Sequence, residues 1–227
     1  MQNIDPLSLW QTTQNDVFIL FLCCFFVCSL LLKTGRRFIA TMWQTIVRQD
    51  EHQYLSFQTV NYEIIGKLFL CLQTAFLTSV ALYCIFTHDN PLAVASPSAI
   101  LMMLTQSTAC ILLFQGYRYL SALIVGHVFF RSENIRIWNT TLLSVLSISG
   151  LILFVPALCM FFVPEIYAAC LYFHFAYFFC VEIVLAYKVY MIFFQEKSTW
   201  YYFILYLCAQ NLAPLCLLYR LCLVIFE

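Results

Sequence analysis

Long apolar runs, broken by short polar links, dominate the chain. Val17 to Leu32 is uninterrupted, bounded by Asp16 and Lys33. Further runs extend over about 68–86, 98–117, 138–163, 166–187 and 199–218. Each approaches the ~20 residues that a helix needs to cross a bilayer core. In lipid the backbone polar groups must be satisfied within the segment, so each run predicts a helix. The expected fold is all-α: a polytopic transmembrane bundle of six spans, with residues 1–227 forming a single integral membrane domain.

The longest polar link carries RRFIATMWQTIVR. Phe38, Ile39, Met42, Trp43, Ile46 and Val47 recur as adjacent pairs every four residues, while Arg36, Arg37, Gln44 and Arg48 fall elsewhere on the helical wheel. That pattern predicts a basic amphipathic helix over about 36–48 in the headgroup region, on the cytoplasmic side. It can serve as packing under the bundle or as a docking surface, and we favour packing. Residues 118–130, RYLSALIVGHVFF, either continue the third span or form a short in-plane helix.

Composition supports a membrane class. The chain is 63% hydrophobic and 10% charged, against about a quarter charged in a soluble domain. Eleven Lys and Arg balance eleven Asp and Glu, so no basic surplus points to nucleic acid. The distribution of charge is more telling than its sum. Lys33, Arg36, Arg37, Arg48, Lys67, Arg118, Arg131, Arg136, Lys188 and Lys197 all fall at one side of a six-span arrangement, and only Arg220 falls at the other. The positive-inside rule then places both termini away from the cytoplasm. The tail before the first run carries Asp5 and Asp16 and no basic residue. A signal peptide begins with basic residues, so an uncleaved anchor is expected.

Charged and polar groups at membrane depth are costly and become the candidates for a site. Glu182 stands six residues before Lys188, about 9 Å inside the boundary. Arg118 ends the third span and Lys67 opens the second at the same side, so either can pair with it, and Arg118 is the preferred partner. Glu182 is read as part of a buried pair that sets helix register, or as a proton or substrate site. His174, eight residues earlier, shares a related helix face. In the sixth span Pro214 removes the helical partner of the Gln210 carbonyl, with Gln210 and Asn211 at the same depth. Stripes of small and hydroxyl residues predict the bundle interior: Glu63, Lys67, Cys71, Thr74, Thr78 and Ala81; Thr105, Thr108 and Gln115; Thr140, Ser144, Ser147 and Gly150. The twelve cysteines sit almost entirely inside spans without a CxxC pair, as small apolar residues do. No catalytic, nucleotide-binding or metal-binding motif is present, so neither cofactor nor metal is expected.

The sixth span, WYYFILYLCAQNLAPLCLLYRL, is similar to the last helix of an uncharacterised family of six-helix polytopic inner-membrane proteins from Bacteroidota. The shared features are the aromatic entry, Tyr206-Leu207-Cys208, and Pro214 followed by an apolar run ending in a basic residue. The resemblance implies a bacterial inner membrane and no established activity. That family carries an acid three residues before the proline, where Asn211 stands here. A charge-dependent role of that acid is therefore absent or met differently. The reading favoured is a non-enzymatic accessory or scaffold component of a cell-envelope complex in the inner membrane, with both termini periplasmic. A small proton-coupled transporter using Glu182 and the broken sixth span is the alternative, and an enzyme acting on a lipid or quinone the third. The partners expected are the lipid bilayer and, as an open second class, other membrane proteins, with no nucleic acid.

Overall fold

The computed structural model describes Asn15, residues 17–29, Ala40, Met42, Trp43, Ile46, residues 61–88, 97–129 and 132–194, Cys216 and Arg220. Among these residues the elements are all helical. They are α1 (Val17–Ser29), α2 (Asn61–His88), α3 (Pro97–Phe129), α4 (Ser132–Ile152), α5 (Phe154–Phe162) and α6 (Tyr167–Val189). A 3₁₀ turn at Pro164–Ile166 links α5 to α6, and α6 ends in a π turn at Tyr190–Phe194. Among the described residues four stretches are long and apolar enough to cross a membrane: Ile65–Thr87, Ala99–Ser121, Ile135–Phe162 and Tyr167–Ile192. The sixth span expected at 199–218 lies outside the described residues, apart from Cys216.

Prolines punctuate these helices where their missing N–H predicts. Pro97 opens α3 at its first position, where a helix has no use for the N–H. Pro164 follows α5, and Val163 before it leaves the helical region at φ −125° and ψ 85°. Pro156 acts inside a span. The fourth run, expected as one helix over 138–163, is two helices with a bend at Leu153. The open question over residues 118–130 is resolved as well: α3 continues unbroken to Phe129. Its 33 residues rise about 50 Å, well beyond a ~30 Å hydrocarbon core.

α2 is the central element and packs on α3, α4 and α5. Leu77, Val80, Tyr83 and Cys84 share one buried cluster with Leu153, Ala157 and Met160, so α2 and the α4–α5 pair run parallel. Ser79 meets Leu104 and Ser107, and Ile100 joins the cluster near the end of α2, so α3 runs antiparallel to it. Tyr177 of α6 meets Ser149 of α4, and Tyr167 reaches Cys84 near the far end of α2, so α6 also runs antiparallel. Consecutive spans alternate in direction. The start of α2, the end of α3, the start of α4 and the end of α6 therefore share one end of the bundle, called here the basic end.

Aromatic rings fill the other half. Phe21 of α1 makes edge contacts with Phe76, Phe154 and Phe162. At the basic end Trp138, Leu142 and Val145 pack on Leu185 and Val189, with Ile46 and Tyr119 against them. Met42 is wholly buried with Cys28 and Leu70, whereas Trp43 beside it is exposed. Of the amphipathic stretch, then, the described residues are helical and turn Met42 and Ile46 inward.

One interior stripe needs correction. Thr105 faces outward and bonds back to the Leu101 and Met102 carbonyls of its own helix. The buried hydroxyl of that span is Ser107. Because a threonine can satisfy its hydroxyl locally in this way, polarity alone does not assign a face.

Candidate intramembrane polar site

At the basic end α3 and α6 bring opposite charges together. Nη1 of Arg118 donates to Oε1 of Glu182 at 2.8 Å, and Nη2 to Oε2 at 3.2 Å. This is the two-pronged geometry that a planar guanidinium offers a carboxylate. The two side chains are 8% and 16% exposed. One turn earlier on α3, Phe114 places its ring 5.7 Å from Cζ of Arg118. One turn later Ser121 donates to the Arg118 carbonyl. The ion pair expected from depth alone is thus present, with Arg118 as the partner that reaches Glu182. Lys67 and Lys188 are buried at the same end. Lys67 begins the α2–α4 seam, where Ser147 donates to its carbonyl at 3.1 Å.

That seam is the second polar feature. Thr74 Oγ1 is 2.7 Å from the Leu146 carbonyl, and Cys71 contacts Ser147. Gly150 permits the approach: a Cβ built there would lie 2.7 Å from the Leu70 carbonyl oxygen and 2.8 Å from Thr74 Oγ1. On the other side of α2, Ser79 and Ser107 hydrogen-bond across to α3. Hydroxyls and small residues here join helix to helix, as they do in membrane bundles generally.

Gln73 was not among the residues singled out by pattern, because it stands one position off the small-residue stripe. It is buried, and its two ends are both used. Nε2 donates to the Gly150 carbonyl at 2.9 Å, and Oε1 accepts from the Cys28 thiol at 2.9 Å, tying α1, α2 and α4 together. The contact with Gly150 falls at the bend. Leu153 N still reaches the Ser149 carbonyl and Ala157 N reaches that of Leu153. Between them, the carbonyls of Gly150, Leu151 and Ile152 have lost their helical N–H partners. Pro156 is the cause, since it has no N–H for Ile152 and its ring displaces the preceding turn. Within its own span Pro156 has no side-chain amide beside it. The amide comes from the neighbouring helix instead. A reading that asked of every amide at membrane depth where its bonds go would have found Gln73.

His174 lies on the same inward face of α6 as Tyr177. Its Nδ1 is 3.0 Å from the Cys170 carbonyl, which requires a proton on Nδ1. Nε2 is then a lone-pair acceptor, and it is buried without a hydrogen-bond partner among the described residues. Tyr177 donates to Ser149 Oγ at 3.0 Å. His174 and Glu182 do not form one cluster: Glu182 is taken up by Arg118, two turns nearer the basic end.

Arg36, Arg37, Arg48, Gln210, Asn211 and Pro214 lie outside the described residues. Among the described residues no group of three or more His, Cys, Asp or Glu is placed to hold a metal ion.

In comparisons with known proteins, one family model, described as "Domain of unknown function (DUF4271)", matches residues 17–222. No curated protein and no solved structure matches the chain.

Proposed function

We propose, from the premise that the chain belongs to the DUF4271 family of unknown function, a role for it as a non-catalytic accessory or scaffold component of a membrane complex. The family and the four apolar spans make it an integral membrane protein of unknown activity. The inner membrane, six crossings and both termini on the outer side complete the reading. They rest on ten of eleven basic residues falling to one side.

One observation carries the accessory role. Among the described residues, the strongest polar contacts between helices at membrane depth each join one helix to another. Arg118 closes on Glu182, Gln73 on Gly150 and Cys28, Ser147 on Lys67, and Thr74 on Leu146. Groups engaged in this way stiffen a bundle and leave few donors to line an aqueous path. α6 meanwhile presents Tyr172, Phe175, Phe179 and Ile183 outward, an apolar face suited to lipid or to another membrane helix. Purification in mild detergent tests the role. The expected result is a stable, stoichiometric membrane partner. A monodisperse lone protein that moves solute across liposomes would overturn it.

That second outcome is the transporter reading, and the bend at Leu153 favours it. Broken spans with released carbonyls at membrane depth are a feature of transporter sites.

A further inference from the structure

Three observations meet at the bend between α4 and α5. The carbonyls of Leu151 and Ile152 have no helical N–H partner and no other hydrogen bond among the described residues. Unlike that of Gly150, they receive no side-chain donor. Next, Nε2 of His174 is a buried lone pair without a donor. Lastly, the two lie at one level. α6 runs antiparallel to α4 and α5, with Tyr177 against Ser149 and Cys170 beside Cys159. His174, three residues before Tyr177, therefore falls opposite a point about three residues beyond Ser149, at Ile152. Among the described residues the place holds acceptors from two sides and lacks a donor. It is also the carboxyl-terminal end of α4, where aligned peptide dipoles leave partial negative charge.

We propose that the bend in the fourth apolar run is an intramembrane proton-binding site, with His174 as the group that takes up the proton and the carbonyls released by Pro156 as its cradle. A hydronium ion gives its proton to Nε2 and leaves as water, and no other bond is broken. The imidazole becomes an imidazolium. Nδ1–H stays on the Cys170 carbonyl, and the new Nε2–H is the donor that the carbonyls of Leu151 and Ile152 lack. The titratable and charged neighbours are few. On α6 they are Cys170, Tyr177 with its hydroxyl on Ser149, and Glu182 held by Arg118. α5 contributes Cys159, and α2 contributes Tyr83 and Cys84 toward the far end. The facing turn of α4 contributes Ser149, which does not titrate.

This site stands apart from the accessory role, since it needs no partner protein. The test is histidine-labelled NMR of the full chain in lipid nanodiscs from about pH 8 to pH 5, the range in which imidazole changes charge. His174→Gln assigns the signal. The expected result is that His174 passes from the Nδ1–H form to the doubly protonated form, and that the Ile152 carbonyl shift moves with the same midpoint. Pro156→Ala returns an N–H to Ile152 and is expected to weaken proton binding about tenfold, one pH unit in the midpoint. A His174 that stays neutral throughout while the protein remains folded overturns the proposal. So does an Ile152 carbonyl that does not follow it, a readout that stands even where Pro156→Ala fails to fold.

Discussion

Glu182 and Arg118 satisfy each other with two hydrogen bonds in a setting almost without water. Removing either partner strands the other. For well-buried pairs that loss is on the order of 3–5 kcal/mol, and the residual exposure of Glu182 puts this pair toward the lower end. Glu182→Gln is therefore expected to lower the thermal midpoint in detergent clearly, and Arg118→Met with Glu182→Leu to recover part of it. An unchanged midpoint for Glu182→Gln would show that the pair does not stabilise the fold. The residue types and depths were legible in the chain, because a carboxylate inside a span demands a partner. Gln73 was not, since it acquires meaning only through a carbonyl 77 residues away on α4. His174 stood out by type and depth, but that its Nε2 is bare among the described residues was decided by packing.

Among the described elements, α2 and α4 approach closely at Gly150. The Gly150 hydrogen occupies space that a methyl group cannot share with the Leu70 carbonyl. Gly150→Ala must push the helices apart, stretching the bonds of Gln73, Thr74 and Ser147, at a cost of about 1–3 kcal/mol. Gly116→Ala is the control: a Cβ there meets nothing within 4 Å, so the change is expected to be neutral or mildly stabilising. Equal thermal shifts for the two variants would remove the close approach as the cause. The stretch containing Met42 and Trp43 makes a separate prediction. With Met42 buried and Trp43 turned out, Trp43 in a protein stripped of its other tryptophans is expected to be quenched by lipid-borne quenchers and little by aqueous iodide. The reverse pattern would place it in water.

For the whole molecule the expected outcome concerns orientation. Four described spans alternate in direction and gather the start of α2 and the ends of α3 and α6 at one side. Lys67, Arg118 and Lys188 stand there. If that side is cytoplasmic, an alkaline phosphatase fusion at residue 93 is active and one at residue 195 is not, while fluorescent-protein fusions give the opposite result. An active phosphatase at residue 195 would invert the topology and with it the assignment of the basic end.

The chain by itself determined the solvent it lives in, where the described spans lie apart from the bend at Leu153, and the end of the bundle at which Lys67, Arg118, Arg136 and Lys188 collect. These follow from additive, local quantities: the length of an apolar run, the burial cost of a bare peptide group and the count of arginines in a link. Tertiary structure decided the rest. In spans that are apolar on every side, no periodicity tells an inward face from an outward one, so Thr105 turned out and Ser107 turned in. Pro156 announced a break, but the donor that reaches the break belongs to another helix. Whether a carbonyl at membrane depth is satisfied depends on what stands within about 3 Å of it, and that distance is set by packing between segments far apart in the chain.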